Sequence, residues 1–390
     1  MNSGSQDGTM KAVADFTAKT GIEVEVLISD WGSFNDKVLL MLTTGQQLDL
    51  IRCDSGHAVT AANNGWLYPL SNLIKRDNAD ISLIAKNVLW YAPNNENGEV
   101  WVLPYNVAVT LLFYHRGHFQ EAGVDFPPVE YGHQALQWDN WIAMSKKLVR
   151  VDPDGKVTRW GTHIGVPAYF LIGAFNVDWV SPTLDKFLGT TQEVINAYNK
   201  LISVFMTEGA APKPAERSGL NFLGGVNLAS EVRQTGTWML TVDPKSLDMG
   251  LAPPPWGSVV AVQGGVNSWG ITSTTKNLEA AWEFLKFFTL GDGLISWMNY
   301  ESKSPLMNRR YFNQWVHLMQ EFMPNADLSV VLGAGNYLWN SQISNTKPWP
   351  QIQPIFEGAL NEVNNGVKSM AAAMEGIAGQ IDLLLKESAQ

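Results

Sequence analysis

Residues 107–113 read Val-Ala-Val-Thr-Leu-Leu-Phe, and apolar side chains occupy both alternating faces of the run. Such β-branched, aliphatic and aromatic residues favour a strand. A sheet with one solvated face would alternate apolar and polar residues. This run does not, so both its faces must be covered. It is entered through Leu103-Pro104-Tyr105-Asn106 and left through Tyr114-His115-Arg116. Pro104 has no N–H to give to a ladder, so it belongs at the start of the strand. A strand buried on both faces calls for a layered α/β architecture.

The first fifty residues agree with that architecture. Residues 7–20 have helical spacing, with Met10, Val13, Ala14 and Phe16 expected inward and Gly21 as the terminating cap. Residues 22–28 alternate Ile22, Val24 and Val26 with Glu23 and Glu25, which predicts a strand. A helix over 34–43 and a short buried strand over 48–53 follow. Helix, strand, helix, strand at this spacing implies a sheet with crossover connections. Further helices are expected over 138–149, 193–206, 278–290 and 370–386, the third with Ala281, Phe284, Leu285 and Phe288 on one face. The prolines of Leu251-Ala252-Pro253-Pro254-Pro255-Trp256-Gly257 make that stretch extended and keep it out of a sheet centre. Asp152-Pro153-Asp154-Gly155 lacks the remaining spacing of a calcium loop and reads as a β-turn.

At 390 residues the chain exceeds one ordinary core, so two or more domains are expected. No stretch approaches the roughly 20 consecutive apolar residues of a membrane-spanning helix. The net charge of −10 repels phosphate backbones, so neither nucleic acid nor an anionic membrane is an expected partner. The one cysteine, Cys53, excludes an internal disulfide and a cysteine-based zinc cluster. It suits an exported chain and is compatible with a cytosolic one.

Catalytic patterns are missing. There is no phosphate loop, no dinucleotide fingerprint and no Gly-x-Ser-x-Gly elbow. His115 and His118 offer two metal ligands with no third implied nearby, and read as a surface pair where the strand meets a loop. No metal, cofactor or catalytic residue is expected, and a binding protein is favoured over an enzyme. The composition does carry one positive signal: 16 tryptophans against six histidines. Most tryptophans belong in a core. An excess is also what a carbohydrate site would add, because pyranose C–H faces stack on indole rings while hydroxyls take a few fixed polar partners.

Several segments, taken in order, resemble the family 1 extracellular solute-binding proteins of ABC importers, the maltose-binding-protein-like group. They are DFTAKTGIEVEV, LDLIRCDS, AANNGWLYPL, VWVLPYNVAVTLLFYHRGHFQEAGVDFPP, QWDNWIAMSKKL, QTGTWMLTV, GGVNSWGITSTTKNLEAAWEFLKFFTL and KSPLMNRR. Together they cover nearly the whole chain. Met1 stands where the family's first strand would be, so the chain reads as a mature form without its leader.

The resemblance implies a two-lobe periplasmic-binding-protein fold of type II. Its lobes would be discontinuous in sequence and joined by three hinge crossings, with the ligand cleft between them. Lobe 1 would comprise 1–106 and 264–305, and lobe 2 would comprise 107–263 and 306–390. Lobe closure of this kind is a well-documented hinge motion. The implied function is capture of a sugar or short oligosaccharide and its delivery to permease subunits in the membrane. The protein would be a monomer, periplasmic or extracellular, and possible tethering as a lipoprotein belongs to the same expectation. Alternatives are a binder of a polyamine or a phosphate ester, or a glycoside-processing enzyme with paired carboxylates.

Carried over residue by residue, the implied ligand-binding positions are Ser5, Gln6, Trp31 and Asp54 in lobe 1. Asn106 lies at the first crossing, with Gly264 and Gly265 at the second. Tyr169, Trp238 and Trp349 would come from lobe 2. The three aromatic residues would stack on sugar faces, and Gln6, Asp54 and Asn106 would bond hydroxyls. The two glycines would let a ring approach the backbone closely.

Overall fold

The computed structural model describes residues 6–29, 37–38, 40–91, 93–236, 248–300 and 308–388. The chain divides into two compact units. Unit 1 contains Met1–Ala108, Thr235–Thr241 and Gly265–Met319, and unit 2 contains Val109–Gln234, Val242–Gly264 and Gln320–Gln390. Among the described residues the strands, in chain order, are β1 (Leu50–Cys53), β2 (Leu103–His115), β3 (Arg150–Val151), β4 (Val157–Arg159), β5 (Ser230–Gln234), β6 (Met249–Ala252), β7 (Val262–Ile271) and β8 (Leu338–Trp339). Two junctions between units fall inside β2 and β7. Hydrophobic patterning does not mark them, because each strand continues unbroken.

In unit 1 the helix Gln6–Thr20 ends at Gly21, whose φ of 72° and N–H bond to Thr17 O form the expected cap. Its inward face is Thr9, Ala12, Val13 and Phe16, the i, i+3, i+4, i+7 set. Met10 and Ala14, expected inward, point to solvent. Phe16 meets Phe284 edge-on at 5.1 Å. Phe284 lies on Leu278–Thr289, where Ala281, Leu285 and Phe288 are buried as the spacing requires.

Residues 22–28 correct an expectation. Ile22, Val24 and Val26 are half-buried and Glu23 and Glu25 exposed, so the alternation is present. No ladder forms over 22–28. Alternation reports one-sided burial, whereas a strand also needs a neighbour at hydrogen-bonding distance. This segment and residues 47–52 instead line a shared groove of about 490 Å³. β1 pairs antiparallel with β7 from Leu50↔Ile271 to Cys53↔Ser268. Cys53 is 2% exposed among Ile51, Ala58, Leu67 and Val102.

In unit 2, every residue from Val109 to His115 of β2 is buried, as a strand apolar on both faces must be. It pairs antiparallel with β5, from Thr110↔Gln234 to Tyr114↔Ser230. It also pairs with β6, from Leu112↔Ala252 to His115↔Met249. The strand β6 thus takes in Leu251 and Ala252, and the prolines follow it. The helix Trp138–Leu148 is capped by the Gln137 side chain and buries Trp138, Trp141, Ile142 and Leu148. The helix Gln192–Met206, capped by Thr191, buries Val194, Tyr198, Leu201 and Phe205. These pack with Ile352, Phe356 and Leu360 of the helix Trp349–Asn364.

The histidine pair is not a surface feature. His115 is 6% exposed and its Nε2 lies 2.6 Å from Phe222 O. His118 contacts Gly225 O at 2.7 Å and the Arg159 guanidinium at 2.7 Å. Asp152 Oδ1 accepts from Asp154 N and Lys156 N, closing the turn between β3 and β4. No helix among the described residues is long and apolar enough to cross a membrane.

Candidate functional site

Unit 1 carries a chain of polar groups across three strands. In β1, Ile51 and Cys53 point into the apolar core and Arg52 points to the opposite face, as strand alternation requires. Arg52 is 8% exposed. It donates from Nε to Tyr105 Oη at 2.8 Å and from a terminal nitrogen to Asn267 Oδ1 at 2.9 Å. Asn267 Nδ2 donates in turn to Asn106 Oδ1 at 2.8 Å. Tyr105 and Asn106 belong to β2 and Asn267 to β7. The Tyr105 ring stands edge-on to Phe288 and Trp297, which hold its hydroxyl in place. A guanidinium this buried requires such partners.

Asp54 follows β1 directly. It caps the helix Ser55–Asn63, accepting from His57 N at 3.1 Å, and its Oδ1 meets His57 Nδ1 at 2.5 Å. The carboxylate is one-third exposed, so it still faces solvent.

Unit 2 contains a pocket of about 470 Å³. Trp339 and Tyr337 provide its aromatic wall, and Asn176, Asp178 and Asn336 its polar lining. Trp339 is set on β8, which runs parallel to β7 through Val262↔Leu338 and Gln263↔Trp339. Its half-exposed indole rests against Gly173 so closely that a Cβ there would stand 2.3 Å from Cδ2. Tyr337 stacks on Tyr131 with centroids 4.8 Å apart, and Tyr131 Oη donates to Val330 O. Asn176 adopts the left-handed conformation at φ 60°, a strained state for most side chains but one that asparagine tolerates. Burial pushes the Asp178 carboxyl above its ordinary value, although Ser341, Gln342 N and Trp179 N all donate to it. Asp178 therefore shapes the loop, while Asn176 and Asn336 add amide groups to the lining. A flat indole with amides nearby can hold a ring that has an apolar face and a polar rim.

The positions expected from sequence fare unequally. Ser5, Trp31 and Trp238 lie outside the described residues. Gln6 is the first residue of the helix Gln6–Thr20. Asn106 belongs to the Arg52 cluster, and Asp54 lies two residues beyond Arg52. Gly264 and Gly265 are interior residues of β7, the first buried and the second half-buried. Tyr169 corrects the expectation of a stacking ring. It is 4% exposed, packs edge-on to Phe356 at 5.3 Å, and donates its hydroxyl to Glu357 at 2.7 Å. Its faces are covered by the core. Trp349 opens the helix Trp349–Asn364, half-buried against that core, with Phe356 6.4 Å away. Neither residue lines the Trp339 pocket.

Sequence reading missed Arg52, Tyr105, Asn267, Gly173 and Trp339. Arg52 had a usable signal, a charge inside the apolar strand Leu50-Ile51-Arg52-Cys53. Trp339 had none, being one tryptophan among 16.

Comparison with known proteins agrees with this fold. A binding protein of Brucella abortus (strain 2308) is 20% identical over 405 residues, covering 96% of this chain and 92% of the relative. Among solved structures, the ABC substrate-binding protein Lmo0181 of Listeria monocytogenes, in complex with cycloalternan, superposes with a TM-score of 0.80 at 18% identity. That match covers 98% of this chain and 96% of the other. Maltose-bound T. maritima MalE3 gives 0.77 at 16% identity, covering 98% of each chain. UgpB of Mycobacterium tuberculosis, in complex with glycerophosphocholine, gives 0.74 at 17% identity, covering 98% and 96%. These likenesses show a two-lobe periplasmic-binding-protein fold. Residues 2–291 match the family described as bacterial extracellular solute-binding protein, most of the chain's length, and the chain belongs to that family.

Proposed function

We propose that this protein is the extracytoplasmic capture subunit of an ABC importer and that its solute is a sugar or short oligosaccharide. It holds the ligand without altering it and passes it to permease subunits in the membrane. It acts as a monomer, periplasmic or tethered outside the membrane. The observation that carries the sugar reading is the unit 2 pocket, where the Trp339 indole and the Tyr337 ring stand beside Asn176 and Asn336. Stacking and amide hydrogen bonds are complementary to a pyranose. Asp54 and Asn106 are the proposed hydroxyl partners in unit 1.

A phosphate ester is the second reading, favoured by the neighbour that binds glycerophosphocholine. It is weakened by Arg52, whose guanidinium is already engaged with Tyr105 and Asn267.

Thermal-shift and calorimetric titration with a panel of glycans, glycerophosphodiesters and polyamines, with product analysis on each mixture, tests the proposal. Stabilisation by one or a few glycans with the glycan recovered intact is the expected result. Stabilisation by a phosphodiester alone, or release of cleaved sugar, would refute it.

A further inference from the structure

Unit 2 has a second pocket, of about 240 Å³, that shares no lining residue with the Trp339 pocket. Its polar lining is Tyr169, Tyr198, Arg217, Glu357, Asn361 and Asn364. Two of these carry opposite charges and do not meet. The half-buried Arg217 guanidinium lies over the Phe205 ring at 4.9 Å, and its Nε donates to Pro212 O at 3.4 Å. Its two terminal nitrogens donate to no described residue, and no described carboxylate pairs with it. Burial draws its pKa down from the ordinary arginine value, as expected where no acid is close enough to offset desolvation.

Glu357 is fixed from one side. Its Oε1 accepts from Tyr169 Oη at 2.7 Å and from Gln353 Nε2 at 3.1 Å. Among the described residues nothing donates to Oε2. Tyr198 Oη donates to Asn364 Oδ1 at 3.0 Å, which leaves the Asn364 amide N–H groups available. Ile164, Val166 and Leu360 form an apolar wall.

A guanidinium fork matches a carboxylate, and a carboxylate acceptor matches an ammonium. Both charges are partly withdrawn from water, so each gains from a partner. The space lies below the ~300 Å³ at which drug-sized sites begin, so the ligand is small. We propose that this pocket binds a small aliphatic zwitterion, of the class of a free α-amino acid, with Arg217 on its carboxylate and Glu357 on its ammonium.

Calorimetric titration of the full chain with L-alanine and L-valine tests this, with acetate and methylammonium as half-ligands. Saturable one-to-one binding of an amino acid is expected, with each half-ligand weaker by at least about tenfold. Arg217→Gln and Glu357→Gln should each cost about tenfold in amino-acid affinity and leave glycan binding unchanged. Glu357 also anchors Tyr169, so a misfolded Glu357→Gln protein would leave the decision to the unsubstituted chain and Arg217→Gln. No binding of either amino acid at high millimolar concentration would overturn the proposal. So would acetate matching the amino acid, or unchanged amino-acid affinity in folded Arg217→Gln protein.

Discussion

The Trp339 indole occupies the space that a side chain on Gly173 would need, with only 2.3 Å between its Cδ2 and a Cβ at that position. The glycine thereby sets the height of the ring in its pocket. Gly173→Ala must push the indole outward or strain the backbone, and overpacking of this kind costs about 1–3 kcal/mol. Glycan affinity should fall by about tenfold, together with a shift in tryptophan emission. Trp339→Ala should lose about 1–2 kcal/mol of binding while the free protein's melting temperature changes little, because the ring is half-exposed. Calorimetry and thermal melts on both variants decide. Unchanged affinity in the two would move the sugar site elsewhere.

The Arg52 cluster should behave as one unit. Arg52→Ala removes the donors to the buried Tyr105 hydroxyl and to the half-buried Asn267 amide oxygen, at a cost of about 2–4 kcal/mol. Tyr105→Phe removes one link and should cost about 1–2 kcal/mol. In a double-mutant cycle the two losses should be clearly less than additive. Additive losses in urea unfolding would mean that the hydrogen bonds of 2.8 and 2.9 Å contribute independently.

Asp54 has a structural duty that can be separated from a ligand role. Asparagine is as good an N-cap as aspartate, whereas alanine is not. Asp54→Asn should therefore keep stability, and Asp54→Ala should lose about 1 kcal/mol. If Asp54 also bonds the solute, both variants should weaken glycan binding, since each loses the charged acceptor. Normal affinity in Asp54→Asn would assign the residue to the helix alone.

Burial lowers His115 from an ordinary 6.5 to about 4, against the opposing pull of Phe222 O. The folded protein thus keeps the imidazole neutral after the unfolded chain has begun to protonate it. The stability this provides is complete above about pH 6.5 and is lost as pH falls toward 4, about 3 kcal/mol in all. Denaturant unfolding between pH 7 and pH 4 should show a steeper decline for the native sequence than for His115→Gln. Parallel declines would show that His115 does not titrate differently in the two states.

β2 could be read from sequence because apolar residues on both faces leave a strand only one kind of place. The inward face of Leu278–Thr289 was equally legible, since Ala281, Phe284, Leu285 and Phe288 fall on one stripe. Residues 22–28 were not, because side-chain alternation says nothing about whether a neighbouring strand lies within reach. Tyr169 misled for a related reason. An aromatic ring with a hydroxyl suits a sugar and suits a core with a buried Glu357 equally well, and only packing tells them apart. The Gly173–Trp339 contact joins residues far apart in the chain, so no local pattern announces it.

Cys53 is sealed under Ile51, Ala58 and Leu67, and burial raises its thiol far above the range in which thiolates form. Alkylating dyes will pass it over in the folded state. A new cysteine placed on the rim of the Trp339 pocket would then be the one reactive handle on the molecule. A single environment-sensitive fluorophore attached there would turn the protein into an optical reporter for its own solute, with no native thiol to remove first.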